Sequence, residues 1–295
     1  LKTLFVPKNF SIASVHLRGA KRKKTMKIEF TKMSGAGNDF IVIDNRHQAL
    51  ELSQTQIRLL CARRTGIGAD GLMLMNPSAQ YDFAMRYFNA DGKPSSMCGN
   101  GGRCITRFAA LSGMKKTQFV FEANGEVYHA EILDERRVKL KMQPPKEFRD
   151  TVSVEGFESS YVNTGSPHAV LYVSPLETFD VQNVGRKIRH HTELFPDGTN
   201  VNFVEPLSED RLRIRTFERG VEDETLACGT GCVAAAVVSY RLHKVKARHI
   251  KLMVQSGETI EVEFDEAMQH VYLIGSADVV FTGCIDLAAL EKRFM

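Results

Sequence analysis

Four short motifs occur twice along this chain, in the same order and at a nearly constant separation. GNDFIV at 37–42 is echoed by GSPHAV at 165–170, and ADGLMLM at 69–75 has a weaker counterpart in TNVNFVE at 199–205. RYFNADG at 86–92 pairs with RTFERG at 215–220, and CGNG at 98–101 pairs with CGTG at 228–231. A single match would be noise. Four in register require a duplicated unit of about 130 residues, which limits the chain to two like-folded halves. Each half then offers an equivalent loop to a shared cleft.

Local patterns agree with that division. Alternating or β-branched runs at 41–44, 119–122, 138–142, 169–173, 250–254, 260–264 and 271–274 read as strands, many bounded by Gly, Pro or Asn. Helical patterns are fewer, at roughly 53–62, 101–111, 180–190 and 231–243. CVAAAVVSY at 232–240 is apolar on nearly every side, the mark of a helix buried at the centre of its unit. The expected fold class is therefore α/β, with two pseudo-symmetric domains, each a strongly curved mixed sheet wrapped around a central helix. The PPKEF stretch at 144–148 marks the boundary between them.

The formal charge of +4 comes from one segment. Residues 1–25 hold seven bases and no acid; without them 32 bases face 35 acids. The body is mildly acidic, so nothing in its charge asks for nucleic acid. The basic segment has two readings: an acid-poor transit peptide, or a stretch lying upstream of a start at Met26. The second is preferred, and the segment is expected outside the fold. No apolar run is long enough to span a bilayer. Six cysteines could make three disulfides, yet a chain of this length has core enough without staples, so a reducing cytoplasm is expected.

Cys98 and Cys228 each precede a glycine-rich turn that opens a helical pattern. A helix start leaves N–H groups unpaired and carries partial positive charge. A carboxylate can dock there, and an adjacent thiol should have its pKa lowered from about 8.5. Two such loops facing each other place one sulfur on each side of a bound amino acid. Inverting a Cα needs one group to remove a proton from one face and another to return one to the opposite face. A thiolate and a thiol would serve.

Other readings of the same residues carry less. Zinc ligation by Cys98, Cys104, Cys228 and Cys232 meets unequal spacings, and Cys104 and Cys232 lie within helical patterns. GTGCVA at 229–234 fits a dinucleotide-binding pattern, but an acidic segment and not a buried strand precedes it. Cys61 and Cys284 are most simply buried hydrophobes.

From Met26 onward the chain resembles the diaminopimelate epimerases of lysine and peptidoglycan biosynthesis. The motifs are MSGAGNDF at 33–40, FNADG at 88–92, CGNGGRC at 98–104, Pro167-His168, FERG at 217–220 and LACGTG at 226–231. The resemblance implies epimerisation between the LL and meso forms of diaminopimelate, with no metal or organic cofactor and a small-molecule amino acid as substrate. It implies a first domain of residues 26–143 joined by a returning segment 283–295, and a second domain of residues 144–282. No nucleic-acid or membrane partner is expected, and a homodimer is possible.

Carried over by position, Cys98 and Cys228 form the catalytic pair. Gly99, Asn100, Gly229 and Thr230 hold the reacting carboxylate. Asn38, Asn89, Asn200, Glu218 and Arg219 hold the distal amino-acid end, and His168 and Glu218 tune the thiols. Three positions depart from the family pattern. Ser166 stands where asparagine is common, and its shorter side chain makes that substrate-binding contact or leaves it to water. Gly71 stands where some members have glutamine, and Asp223 replaces a frequent glycine before the second cysteine loop. A proline or hydroxyproline racemase, the sister reading, should not need the polar set of Asn38, Asn89, Asn200 and Arg219. A zinc-binding interaction module is the alternative from another class.

Overall fold

The structure is a computed structural model that describes residues 27–47, 50–95 and 97–293; the basic segment 1–25 lies outside them. The first half runs β1 (Lys27–Gly35), β2 (Asn38–Asp44), α1 (Gln54–Cys61), β3 (Gly71–Asn76), β4 (Phe83–Asn89), α2 (Gly99–Leu111), β5 (Gln118–Ala123), β6 (Glu126–Ile132) and β7 (Arg137–Met142). The second runs β8 (Lys146–Val154), β9 (Phe157–Asn163), β10 (Pro167–Tyr172), α3 (Val181–Arg189), β11 (Asn200–Ser208), β12 (Arg211–Glu218), β13 (Asp223–Thr225), α4 (Gly229–Arg241), β14 (His249–Met253), β15 (Thr259–Phe264) and β16 (Val271–Ser276). The chain then turns back through β17 (Asp278–Asp286) and α5 (Leu287–Glu291).

Strand pairing repeats with the motifs. From β1 to β7 successive neighbours pair antiparallel, parallel, antiparallel, parallel, antiparallel and antiparallel. The series β9, β10, β11, β12, β14, β15 and β16 follows the same alternation. The extra strand β13 hangs on β12. β7 and β16 pair antiparallel, with Leu140 opposite Leu273, so the two sheets are continuous through their last strands. β17 returns to pair with β1.

Each half curls around its own helix. α2 packs on β1, β2, β3, β6 and β7, while α4 packs on β9, β10, β11, β12, β14 and β15. Ten of the thirteen residues in each helix are buried, as the all-round apolar pattern of 232–240 requires. The outer sheet faces are covered too. Ile57 and Leu60 of α1 and Leu287 and Leu290 of α5 close one; Val181 and Ile188 of α3 close the other. Strands in the parallel pair β2–β3 are thus buried on both faces, and Phe40, Ile41, Val42 and Ile43 read as a continuous apolar run.

Helix starts differ from the sequence expectation. α2 and α4 begin at Gly99 and Gly229, two residues earlier than the apolar periodicity indicates, with Cys98 and Cys228 as extended N-caps. The glycines are there for close approach. A Cβ on Gly99 or Gly229 would come within 2.8 or 2.9 Å of Leu273 Cδ2, so one leucine of β16 seats both helix starts. Cys61 is buried as expected, but Cys284 is exposed, because among the described residues β17 pairs with β1 alone and leaves one side open.

Candidate active site

The repeat brings the two cysteine loops together. Asn100 Nδ2 donates to the Ala227 carbonyl at 3.2 Å, and a Cβ on Gly229 would lie 3.1 Å from Asn100 Oδ1. The N-termini of α2 and α4 therefore abut, with Cys98 partly and Cys228 fully buried. Neither sulfur caps its helix through a conventional side-chain bond. Cys98 Sγ instead donates to Asn38 Oδ1 at 3.5 Å, and Cys228 Sγ lies 3.6 Å from Thr230 Oγ1.

The thiols do not behave as their helix positions alone predict. Burial pushes Cys98 up to about 11, and Glu218 adds to the rise, against the lowering effect of the Gly101 and Asn100 N–H groups. Cys228 is raised well above its ordinary value, again by burial and then by Glu218, despite Thr230 and the Gly231 N–H. The expected lowering is thus corrected: the helix N–H groups act in that direction, and exclusion of water outweighs them.

From Cys228 a line of polar groups runs into the second half. Thr230 Oγ1 lies 3.2 Å from Ser166 Oγ, which lies 2.9 Å from His168 Nε2. Asn202 Nδ2 sits 3.0 Å from His168 Nδ1, and Thr216 donates to Asn202 Oδ1. Burial depresses His168 to about 3, so the ring is neutral at ordinary pH. With Nδ1 accepting from an amide, Nε2 carries the hydrogen and donates to Ser166. The short Ser166 side chain reaches His168 and Thr230 directly, and Asn200 Nδ2 lies 3.4 Å from it.

Asn200 Oδ1 accepts from the Arg219 backbone N–H at 2.9 Å, and the Arg219 guanidinium donates to the Asp197 carbonyl. Glu218 accepts from Thr225 at 2.8 Å; burial raises its carboxyl to about 7, and Asp70 contributes to the rise. Asn89 is exposed at the end of β4 opposite Gly71; its backbone N–H donates to the Lys93 carbonyl, while its side-chain amide has no partner among the described residues.

Among the described residues no three His, Cys, Asp or Glu side chains are grouped as a metal ion would require, and no helix is long and apolar enough to cross a membrane. A family model described as diaminopimelate epimerase matches residues 30–147 and 160–280. The chain is 55% identical over 257 residues to the diaminopimelate epimerase of Chlorobaculum tepidum, covering 86% of this chain and all of that one. It is 44% identical over 278 residues to that of Aquifex aeolicus, covering 90% of this chain and all of the other.

The chain belongs to the diaminopimelate epimerase family.

Solved structures extend the fold more widely. A phenazine biosynthesis protein of the PhzF family from Bacillus anthracis superposes with a TM-score of 0.66 at 15% identity, over 88% of this chain and 99% of that one. A hydroxyproline epimerase from Agrobacterium vitis gives 0.64 at 14% identity, over 90% and 93%. At such identities these neighbours speak to the fold alone, the two-unit α/β architecture that this epimerase-family chain shares.

Sequence reasoning missed several residues around the thiols. Asn202 and Thr216 carry the polar line behind His168. Tyr87 fills the space over Gly71, where a Cβ would come within 2.5 Å of its ring. Its phenol is raised by burial and then by the proximity of Cys98 and Glu218. Asp39, Arg63 and Asp70 form a charged group behind Asn38. Asp39, Asp70, Tyr87, Asn202 and Thr216 all lie within the repeated motifs, which could have flagged them; Arg63 lies outside every motif and shows no signal.

Proposed function

We propose that this enzyme inverts one Cα of diaminopimelate, converting the LL to the meso form, with Cys98 and Cys228 as the acid/base pair. The observation that carries this reading is the abutment of two helix N-termini, each capped by a cysteine. The reacting carboxylate would dock on the N–H groups of Gly99, Asn100, Gly229 and Thr230 at the two helix starts, which suit an anion. Its Cα would then lie between the sulfurs. One sulfur, as thiolate, takes the Cα proton; the carbanion's electron pair takes the proton of the opposing thiol. The products are the inverted centre and a pair whose protonation is exchanged, so nothing is oxidised and no cofactor is consumed.

The distal amino-acid end would be held by Asn38, Asn89, Asn200, Glu218 and Arg219, with Ser166 beside them. His168 and Glu218 would tune the pair, since Glu218 bears on both sulfurs and His168 reaches Cys228 through Ser166 and Thr230. The division into residues 26–143 with 283–295, and residues 144–282, belongs to the same proposal. It is supported by the helix that each set of strands encloses and by the return of β17 to β1. A cytoplasmic location suits six free thiols. A homodimer is supported by the open side of β17, where Val279, Val280 and Phe281 are exposed.

Incubation with LL-diaminopimelate in deuterated water tests the reaction. Solvent deuterium should enter at one Cα as the meso form appears, and proline should take up none under the same conditions. Exchange into proline instead of diaminopimelate would move the enzyme to the racemase reading.

A further inference from the structure

Asn38 has both ends of its amide occupied by the protein. Its Nδ2 donates to Asp70 Oδ2 at 2.6 Å, while its Oδ1 accepts from Cys98 Sγ at 3.5 Å and from Asn100 Nδ2 at 3.4 Å. The orientation is chemically forced. A flipped amide would set its oxygen against the Asp70 carboxylate and its NH2 against that of Asn100.

Asp70 is itself held firmly. Arg63 Nη2 donates to Asp70 Oδ1 at 2.5 Å and to Asp39 Oδ1 at 2.8 Å, while Arg63 Nη1 reaches Asp39 Oδ2 at 3.0 Å. The two aspartates also exchange backbone bonds: Asp39 N–H donates to Asp70 Oδ2 at 3.2 Å, and Asp70 N–H to Asp39 Oδ1 at 3.0 Å. Lys32, buried behind them, pairs with Asp39 at 2.7 Å. Burial opposes ionisation of Asp39, yet Arg63 and Lys32 hold it at about 2, so Asp39 keeps its charge at any working pH.

We infer that Asp70, braced by Arg63 and Asp39, is a positioning residue that fixes the Asn38 amide with its oxygen on Cys98, and so stabilises the thiol form of that cysteine. The rationale is directional. An amide oxygen can accept only from S–H, whereas an amide NH2 in the same place would donate to a thiolate. A carboxylate behind Asn38 selects the first arrangement. The inference rests on Cys98 belonging to the acid/base pair, but its measurement does not require turnover.

The test compares two neutral replacements at position 70. Asp70→Ala removes the charge and leaves Asn38 unguided. Asp70→Asn removes the same charge, but its oxygen can still accept from both the Asn38 amide and the Asp39 N–H, giving up only the contact with exposed Arg63, so Asn38 keeps its oxygen on Cys98. The remaining ionisable groups facing Cys98 are Glu218 from β12, Tyr87 from β4, and Arg103 and Cys104 from its own helix. They are common to both variants.

Alkylation by iodoacetamide across a pH series, resolved by peptide mapping, reads the ionisation of Cys98 with Cys228 as internal reference. The midpoint for Cys98 should fall about one pH unit lower in Asp70→Ala than in Asp70→Asn, roughly a tenfold larger thiolate fraction at fixed pH, with Cys228 alike in both. Equal midpoints for Cys98 would mean that charge alone matters and would overturn the assignment. A reading on the unaltered enzyme stands beside it: a hydrogen-bonded S–H Raman band that disappears in Cys98→Ser. Absence of that band overturns the proposal whether or not the variants fold. Failure of diaminopimelate turnover with the midpoints as expected would instead count against the proposed function alone.

Discussion

Replacing Glu218 by glutamine should stabilise the protein at alkaline pH and leave it nearly unchanged at acid pH. Burial raises this carboxyl from its ordinary 4.5 to about 7. Between those values the folded chain keeps a proton that the unfolded chain has lost. Stability therefore falls as pH rises through this window: Glu218 carries no penalty below 4.5 and a full one above 7. A difference of about 2.5, at about 1.4 kcal/mol for each tenfold step, sets the penalty at roughly 3.5 kcal/mol. The side chain is only part-buried by its exposed area, so about 2 kcal/mol is the working figure.

Glutamine has the same shape and keeps an oxygen for Thr225, but it has no charge to desolvate. His168 acts at the other end of the scale. Its depressed pKa costs stability as pH falls below about 6.5, equally in both proteins, and so cancels in the difference. Urea unfolding at pH 4 and pH 8 gives the test. The stability difference between Glu218→Gln and the parent should grow by about 2 kcal/mol from the lower to the higher pH. A difference constant across that range would mean that Glu218 ionises as if in water, and the dry environment assigned to both thiols would fall with it.

Cys98→Ser and Cys228→Ser should each lose at least about a hundredfold in turnover, because a serine hydroxyl is far too weak an acid to replace either thiol; near-normal epimerisation by either removes that residue from the reaction. Gly231→Ala places a methyl 2.4 Å from Asn202 Oδ1 and 3.3 Å from Cys228 Sγ, so it should cost about 1–3 kcal/mol in thermal or urea unfolding, and unchanged stability would show that Asn202 has room to yield. Oxidation of the unliganded enzyme should join Cys98 to Cys228, with the rate rising as pH climbs toward 11, because the thiolate is the attacking species. A substrate analogue should protect; peptide mapping that finds another pairing, such as Cys98 to Cys104, refutes facing sulfurs.

What could be read in the sequence was what repeats or what is local. The four paired motifs foretold two like units, and the pairing order of β1 to β7 recurs in β9 to β16. The helix of 232–240 was legible because no face of it is polar, and Ser53 and Asp180 mark their helices with side-chain caps. β3 was not legible as a strand: Gly71–Asn76 is buried on both faces, so alternation is missing, and its Leu and Met residues lack the β-branching that marks Ile41, Val42 and Ile43 of β2. β17 was missed for the opposite reason, since its middle is exposed and only distant β1 makes it a strand. At the site, types and spacing located the cysteines. The Asp39–Arg63–Asp70 group depends on side chains up to 31 residues apart. Asp39 and Asp70 lie within repeated motifs, but no motif shows that Arg63 joins them. Burial of the thiols depends on both halves closing together.

That last point changes how the thiols must be thought of. A thiol held at about 11 is ionised about once per thousand molecules at pH 8, which costs about 4 kcal/mol if the thiolate is to act from the free enzyme. The helix N–H groups cannot supply this by themselves, because their lowering effect is already outweighed. The substrate can. Its reacting carboxylate would be met by the N–H groups at the two helix starts, which leaves its α-ammonium as the uncompensated charge beside the sulfurs, and a cation at that distance favours thiolate. Ionisation of the pair should then follow binding. The pH dependence of kcat/KM reports the free enzyme and that of kcat reports the complex, so the basic-form pKa should lie lower in kcat by about one or more. The comparison needs only initial rates from pH 6 to 10. Equal values in the two profiles would show that the free site already holds its thiolate, and that burial does not govern these cysteines in solution.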